Sequence, residues 1–354
     1  MSHDKRLTAL RARMKQMGIK AMLISHDNNR RYLTGFTGSA GYVFITPRAA
    51  VLATDFRYVE QAGREAPGYE LYQIAGDSTA WLPKVLSGLN VKDLAFEAGD
   101  LSVSQHDKIS ESTASLGIKL TATKHMVEEL RMVKEPEEID LITQAVALAD
   151  AAMQRAAEVL KPGLTELALA WEVESYMRSR GSEALPFEVI VAAGPNAAMP
   201  HAQPSNRPIK YGEPVVIDIG ARVAGYTSDL TRTLCAGKPS AKFAKIYSTV
   251  LQAQLRAEDG ICAGMTGHEA DNLARSVIIE SGYSDCFGHG LGHGLGLVVH
   301  EEPRLGPNSK DALQNDMVFT IEPGIYVPGW GGVRIEDTVV MKNGKITTLS
   351  RARK

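Results

Sequence analysis

The segment from Gly288 to Arg304, GHGLGHGLGLVVHEEPR, restricts the local structure more than any other part of the chain. Its histidines at positions 289 and 293 have the four-residue spacing of a helical zinc motif. However, five glycines within nine residues would cost a helix about 5 kcal/mol relative to alanine. We therefore expect an extended segment in which His289 and His293 share one face, while the glycines allow a ligand or another backbone to approach closely. The alternative is a flexible glycine loop whose histidines are incidental.

Composition and charge exclude several classes of protein. The chain has 354 residues, which is enough for two domains and a substantial core. Its net charge of −2 argues against nucleic acid as the main partner. Three cysteines without a C-x-x-C pair indicate neither a disulfide framework nor a cysteine zinc site. The charged amphipathic start and the lack of an apolar run of about 18 residues predict a cytoplasmic protein with no membrane partner.

The N-terminal part of the chain alternates helix and strand patterns, which predicts an α/β layer structure. From His125 onward, good helix formers predominate, interrupted at Glu135-Pro136. We place the domain junction in this region and expect domains at residues 1–125 and 126–354. Two polar segments, 28–32 and 55–58, are predicted to be turns. The other predicted elements are helices at 5–17, 58–65 and 104–115, and strands at 21–25, 42–45, 50–53, 70–74 and 93–97.

Acidic residues interrupt apolar strand patterns in the second domain. The run Val215–Ile219 is mostly apolar but contains Asp218, and a second strand pattern carries Asp229. A carboxylate buried in such a run is very unfavourable unless it has a cation or a proton. Two later strand patterns carry Glu322 and Glu336. Helices are predicted from Pro136 to before Lys161 and at 165–180, 239–264 and 267–282.

These four carboxylates and His293 form a candidate metal shell. Carboxylate oxygens with one imidazole suit Mn²⁺, Co²⁺ or Zn²⁺ better than a soft metal. Four carboxylates balance the charge of two divalent ions, whereas one ion would leave excess negative charge in a low-dielectric site. We therefore expect two divalent metal ions, with Mn²⁺ as the first choice.

The motif series resembles that of the pita-bread metallopeptidases, in particular the branch of Xaa-Pro aminopeptidases and prolidases. Two aspartates stand eleven residues apart, and they are followed by GHGLGL around His293, IEPG around Glu322 and RIED around Glu336. The segments TGFTGSAG, TDFRYVEQA and RMVKEPEEI also resemble that branch, so the likeness covers nearly the whole chain. It implies an α/β (α+β) fold, with an N-terminal creatinase-like α/β domain before a pita-bread domain. The sheet of the pita-bread domain would be curved, mainly antiparallel and covered by helices.

The resemblance assigns the metal ligands position by position. Asp218 would hold one metal ion, and Asp229 and Glu336 would bridge both. His293 and Glu322 would complete the shell of the second ion. Glu322 would also handle the proton during catalysis.

The resemblance further implies residues around the substrate. His201 and His300 would hold the scissile carbonyl and its developing charge. His289 would lie next to the metal ligands without binding a metal ion itself, and it could donate a hydrogen bond to a ligand carboxylate. Arg304 resembles an arginine that meets the free carboxylate of a dipeptide, which a guanidinium group can bind with two hydrogen bonds. Arg334 would position Glu336 or a substrate carbonyl.

These features predict an enzyme that hydrolyses the N-terminal peptide bond preceding proline. We expect an Xaa-Pro aminopeptidase that acts on short peptides as a homodimer. Two bound metal ions would lower the pKa of water and so provide a nucleophile at neutral pH. The alternative is an Xaa-Pro dipeptidase (prolidase) restricted to dipeptides, and Arg304 does not decide between the two. A methionine aminopeptidase ranks lower because the chain has a separate N-terminal domain. The complete ligand set argues against a metal-free creatinase-like enzyme and against a non-enzymatic binding protein.

Overall fold

A computed structural model describes residues 3–354 of the chain. The first two residues of the predicted N-terminal domain lie outside the described residues. The chain forms two compact units, one up to Arg131 and one from Met132 to Lys354. The domain boundary expected after residue 125 stays a prediction. Within the described residues, no helix combines the length and the apolar character needed to cross a membrane.

The first unit is built on a six-stranded sheet with the order β4-β3-β2-β1-β5-β6. Strand β2 is antiparallel to β1 and β3, whereas β3–β4, β1–β5 and β5–β6 are parallel pairs. This confirms the predicted α/β layer. The strands are β1 (Met22–Ile24), β2 (Tyr42–Ile45), β3 (Ala50–Asp55), β4 (Glu70–Ile74), β5 (Asp93–Glu97) and β6 (Lys119–Thr123). The helices are α1 (His3–Gln16), α2 (Asp27–Thr34), α3 (Val59–Glu65), α4 (Ser78–Gly88), α5 (Val103–Ala114) and α6 (Glu128–Met132).

Helix α2 replaces one of the predicted turns. Its residues are mostly polar, but the Arg30 side chain is buried and donates hydrogen bonds to the carbonyl oxygens of Gly38 and Gly41. Tyr32 and Leu33 are buried as well, and Gly35 ends the helix in the left-handed conformation at φ 79°. The predicted turn at residues 28–32 is therefore wrong, because tertiary partners for a buried arginine outweigh the local polar composition.

The second unit contains antiparallel sheets covered by helices, as predicted. A three-stranded sheet has the order β11-β8-β7, and a five-stranded sheet has the order β13-β12-β14-β17-β18. The helices are α7 (Pro136–Val159), α8 (Glu166–Ser179), α9 (Ala241–Gly260) and α10 (Gly267–Glu280). The first strands are β7 (Ile190–Ala193), β8 (Pro214–Ile219), β9 (Arg222–Val223), β10 (Tyr226–Thr227), β11 (Leu230–Cys235) and β12 (Gly292–Gly294). The others are β13 (Glu301–Leu305), β14 (Val318–Ile321), β15 (Gly324–Val327), β16 (Gly331–Arg334), β17 (Asp337–Lys342) and β18 (Lys345–Thr348).

Each of the two sheets packs against the apolar faces of its own pair of helices, which gives two separate hydrophobic cores. Residues of α7 and α8, such as Ala152 and Val173, pack with Ile217 of β8. Residues of α9 and α10 pack with Phe319 and Val339 of the five-stranded sheet. Between the two sheets, backbone hydrogen bonds join β11 to the segment that precedes β17, for example from the Glu336 amide to the Thr231 carbonyl. This connection brings the acidic ends of strands from both sheets to one place.

Candidate metal centre

Three buried side chains meet where the two sheets of the second unit join. Asp229 precedes β11, His293 lies on β12 and Glu336 precedes β17. Ligand atoms of these residues lie within 4.8 Å of one another. His293 Nε2 lies 3.6 Å from Asp229 Oδ2 and 3.2 Å from Glu322 Oε1. The structure thus brings four of the five predicted ligands into direct proximity.

Asp218, the fifth predicted ligand, is held by an arginine. Arg334 Nη2 donates to Asp218 Oδ2 at 2.5 Å, and its Nε donates to the Thr231 hydroxyl at 3.1 Å. The Thr231 hydroxyl in turn donates to Glu336 Oε2 at 2.6 Å. The remaining oxygens, Asp218 Oδ1 and Glu336 Oε1, are buried and have no hydrogen-bond partner among the described residues. Buried carboxylate oxygens without donors fit metal ligands, because a cation supplies the compensation that they lack.

The electrostatics of the cluster support the same conclusion. Burial, together with the neighbouring carboxylates Asp218 and Glu322, raises the pKa of Asp229 and Glu336 well above their ordinary values. Burial also raises the pKa of Asp218, although Arg334 opposes this effect. Burial alone would raise the pKa of Glu322, but its hydrogen bond to His293 lowers that pKa to about 2. Carboxylates this close cannot all ionise without added positive charge, which divalent cations would provide.

The glycines around His293 provide clearance for other backbones. A Cβ atom on Gly292 would collide with the Thr320 carbonyl, and one on Gly294 would collide with the Glu302 carbonyl. Leu291 and Leu295 are fully buried on either side. The alternative of a flexible loop is therefore wrong for this part of the segment. The predicted extended conformation is limited to Gly292–Gly294, which forms β12.

His289 contacts a tyrosine rather than a ligand carboxylate. Its Nε2 lies 2.9 Å from the Tyr326 hydroxyl, and its Nδ1 lies 2.8 Å from the Gly290 carbonyl. Arg334 Nη1 donates to the same hydroxyl at 2.9 Å. Arg334 thus contacts Asp218 directly and reaches Glu336 only through the Thr231 hydroxyl, and its expected role of positioning Glu336 or a substrate carbonyl stays a prediction. Sequence analysis missed both Tyr326 and Thr231, since neither belongs to a charged motif and their partners lie in other strands.

The cluster of acidic side chains and His293 opens into a cavity of about 800 Å³. The predicted substrate residues His201, His300 and Arg304 lie on its wall, and each has part of its side chain exposed and part buried. The His300 ring lies 4.3 Å from the His293 ring, centroid to centroid. Burial and the charge of His293 lower the pKa of His300 to about 4, so its imidazole is neutral at physiological pH. Apolar side chains complete the lining, among them Phe187, Ile190, Pro200, Leu305 and Pro307.

Comparisons with known proteins show which family the chain resembles. The model of metallopeptidase family M24 matches residues 140–343, and that of the creatinase/prolidase N-terminal domain matches residues 6–133. An Xaa-Pro dipeptidase of Pyrococcus horikoshii is 38% identical over 94% of this chain and 93% of its own. The structure of an Xaa-Pro dipeptidase from Bacillus anthracis has a TM-score of 0.96 at 40% identity, covering 100% of this chain and 99% of its own. That of an X-Pro aminopeptidase from Thermotoga maritima has a TM-score of 0.88 at 36% identity, covering 97% and 98%.

Proposed function

The chain belongs to metallopeptidase family M24, with a creatinase/prolidase N-terminal domain, and on this premise we propose that it is a metal-dependent Xaa-Pro dipeptidase. The observation that carries the proposal is the buried cluster of Asp229, His293 and Glu336 at the base of a cavity. The dipeptidases among its relatives favour a dipeptide substrate over the longer peptides of the aminopeptidase that we expected first.

The five predicted ligands fit two divalent metal ions. Asp218 would bind one ion through its unpaired Oδ1, while Asp229 and Glu336 would bind both. His293 and Glu322 would hold the other ion. When bound, such ions lower the pKa of water and polarise a carbonyl group. The all-oxygen and imidazole donor set suits Mn²⁺, with Co²⁺ or Zn²⁺ as alternatives.

The chain's own residues orient the substrate and move the proton. His201 and His300, both on the cavity wall, would donate hydrogen bonds to the scissile carbonyl and stabilise charge that develops on it. Glu322 would accept a proton from the attacking water and pass it to the leaving proline nitrogen. The apolar part of the wall offers a surface for the proline ring, which lacks an N–H group.

Arg304 provides the means to select a dipeptide. Its side chain is exposed on the cavity wall, 4.0 Å from Glu302, while its backbone amide is held by Asp311. The guanidinium group would bind the free carboxylate of an Xaa-Pro dipeptide through paired hydrogen bonds. A longer peptide carries an amide at that position and would lose this charge interaction.

An Xaa-Pro aminopeptidase is the second candidate. It is favoured by the similarity to the aminopeptidase from Thermotoga maritima and by the size of the cavity, which has room beyond a dipeptide. We further propose domains at residues 1–125 and 126–354, a homodimeric assembly and a cytoplasmic location. Light scattering on the purified protein tests the homodimer.

A comparison of substrate length tests the function. Metal-free protein is reconstituted with Mn²⁺ and given Ala-Pro, Ala-Pro-Ala and Ala-Ala at equal concentrations. We expect a dipeptidase to cleave Ala-Pro with about tenfold higher kcat/KM than Ala-Pro-Ala, which corresponds to about 1.4 kcal/mol of lost transition-state binding. Equal or faster cleavage of Ala-Pro-Ala would establish the aminopeptidase instead. Hydrolysis of neither proline peptide by protein with bound metal would refute both.

A further inference from the structure

A buried cluster of four charged side chains lies beside the metal centre and is not used by the proposed chemistry. Asp337 and Arg232 are 0% and 1% exposed, and Arg232 Nη2 lies 2.7 Å from Asp337 Oδ1. Lys354 Nζ lies 2.6 Å from Asp337 Oδ2 and 3.0 Å from both oxygens of Glu258. The cluster therefore sets two basic side chains against two acidic ones, with Arg232 and Asp337 fully buried and Lys354 and Glu258 partly buried.

Arg232 connects this cluster to the two predicted bridging ligands. Its Nη1 donates to the carbonyl oxygens of Glu336 and Thr231. Asp229 lies three residues before Arg232 in the chain, and its own carbonyl accepts a hydrogen bond from the Thr338 hydroxyl at 2.9 Å. The guanidinium group thus fixes the backbone of β11 and β17 next to the points where both ligands project.

The segment from Arg351 to Lys354 supplies the remaining partners of Arg232. The carbonyl oxygen of Ala352 accepts from Arg232 Nη2 at 2.7 Å, and that of Arg353 accepts from Nε at 3.2 Å. The amides of Arg351 and Ala352 donate to the Asp150 carboxylate on α7, at 2.7 and 2.8 Å. Both the backbone of this segment and the Lys354 ammonium group are therefore tied to the cluster.

We propose that the segment Arg351–Lys354 is a positioning element of the metal centre, acting through Arg232 on the backbone of Glu336. This inference rests on the proposed function only in that Asp229 and Glu336 hold metal ions. Without Lys354, Asp337 and Glu258 would lose the cation that they share. Arg232 is the neighbouring cation, and it would turn toward them and release the carbonyl of Glu336. The Glu336 side chain would then be oriented less accurately toward the metal ions, which would weaken metal binding.

Cobalt binding tests this role without an activity measurement. Metal-free full-length protein is titrated with Co²⁺ and followed by visible absorption, which reports the ligand geometry directly. The variants are Lys354→Met, Lys354→Arg and a deletion of residues 351–354, and Lys345→Met is the control because Lys345 is exposed on β18. We expect Lys354→Met and the deletion to bind Co²⁺ about 10- to 100-fold more weakly with an altered spectrum. Lys354→Arg should restore most of the affinity, and the control should match the wild type.

Thermal unfolding of the metal-free proteins separates positioning from general stability. If Lys354→Met lowers Tm but keeps the wild-type Co²⁺ affinity and spectrum, the segment only stabilises the fold and the inference is overturned. If the deletion variant does not fold, the two Lys354 substitutions still give the answer. A wild-type protein that binds no Co²⁺ would refute the proposed function and this inference together, whereas wild-type binding with unchanged variants refutes this inference alone.

Discussion

The guanidinium group of Arg334 lies 2.5 Å from the carboxylate of Asp218, and the two side chains are only 4% and 13% exposed. The same guanidinium also donates to Tyr326 and Thr231, so its orientation is fixed from three sides. Asp218 Oδ2 therefore accepts its hydrogen bond from Arg334, and Oδ1 has no hydrogen-bond donor among the described residues. Arg334 determines which oxygen of Asp218 is available to a metal ion.

Replacement of Arg334 by methionine is expected to weaken the binding of one of two metal ions. Asp218 would lose the donor that holds its orientation, and we expect this loss of ligand positioning to weaken binding of that ion about 10- to 100-fold. Isothermal titration with Mn²⁺ measures this for both ions. Arg334→Lys should recover only part of the loss, because one ammonium group cannot replace a planar guanidinium group that reaches four partners. Two ions bound by Arg334→Met with wild-type affinity would contradict this role.

Replacement of Asp229 by asparagine should have opposite effects on the metal-free and metal-loaded proteins. Burial and the neighbouring carboxylates raise the pKa of Asp229, so its ionisable carboxyl group is unfavourable in the metal-free protein. Removing that group should raise the Tm of the metal-free protein by about 2–4 °C for each kcal/mol gained. The same change should abolish the stabilisation by added Mn²⁺, since that stabilisation depends on binding to the native state. Differential scanning fluorimetry with and without Mn²⁺ measures both effects.

Hydrolysis of Ala-Pro provides an independent test of the predicted metal ligands. Chelation should abolish Ala-Pro hydrolysis in the wild type, and both Asp229→Ala and His293→Ala should lose most of it while remaining folded. His293→Ala should lose the response of Tm to metal without a gain in the metal-free state, because it removes packing rather than a like charge. An undiminished Mn²⁺ shift in either variant would exclude that residue as a ligand.

The sequence nominated the five predicted ligands because each of them lies inside a short motif. Asp218 within an apolar strand and His293 among glycines are local signals of buried polar groups. Tyr326 and Thr231 could not be found in the same way. Thr231 contacts Glu336 across 105 positions, and its role depends on which strand ends meet. Periodicity in a sequence records burial, but it does not record which strands become neighbours.

The positive charges around the site were the least predictable part. Arg232 follows two of the predicted ligands in sequence but is buried against Asp337 and the carbonyls of the segment 351–354, more than a hundred residues later. A lone arginine in a strand pattern is ordinarily a solvated side chain. Its function becomes visible only when β11, β17 and the chain's last described residues are brought together. Helix α2 was missed for a related reason, since its Arg30 is buried by contacts with a loop.

The stability of the first unit should decrease as pH rises toward neutrality because of Glu97. Burial raises the pKa of Glu97 to about 7, although hydrogen bonds from the His26 amide, Asn29 and the Ser25 amide oppose this. Between about pH 4.5 and pH 7, Glu97 is therefore protonated in the folded state and ionised in the unfolded state. The stabilisation is complete below the unfolded pKa and is lost as pH rises through 7, by up to about 3 kcal/mol.

Urea unfolding followed by Trp81 fluorescence checks this, in a variant with phenylalanine at the tryptophan positions 171 and 330. Trp81 reports on the first unit because it is packed in that unit's core with Phe44 and Leu94. Introducing Glu97→Gln should remove the pH-dependent part of the unfolding free energy between pH 5 and 7.5. A slope that is unchanged by Glu97→Gln would show that other groups titrate over this range.

His300 is expected to act as a neutral hydrogen-bond donor throughout the working pH range. Its pKa is lowered to about 4 by burial and by His293, and bound divalent cations would lower it further. His300→Ala should therefore reduce kcat/KM for Ala-Pro by about 10²- to 10³-fold while the Mn²⁺ affinity stays near the wild-type value. His300→Gln keeps a donor N–H without a titratable group, so it should retain more activity than His300→Ala.

The pH profile of His300→Gln tests the protonation state of His300. Between pH 5 and 8 its profile of kcat/KM should have the wild-type shape, because the protonation state of His300 does not change there. A limb of the profile that disappears in His300→Gln would mean that His300 titrates during catalysis, and its role would then be that of a general acid or base.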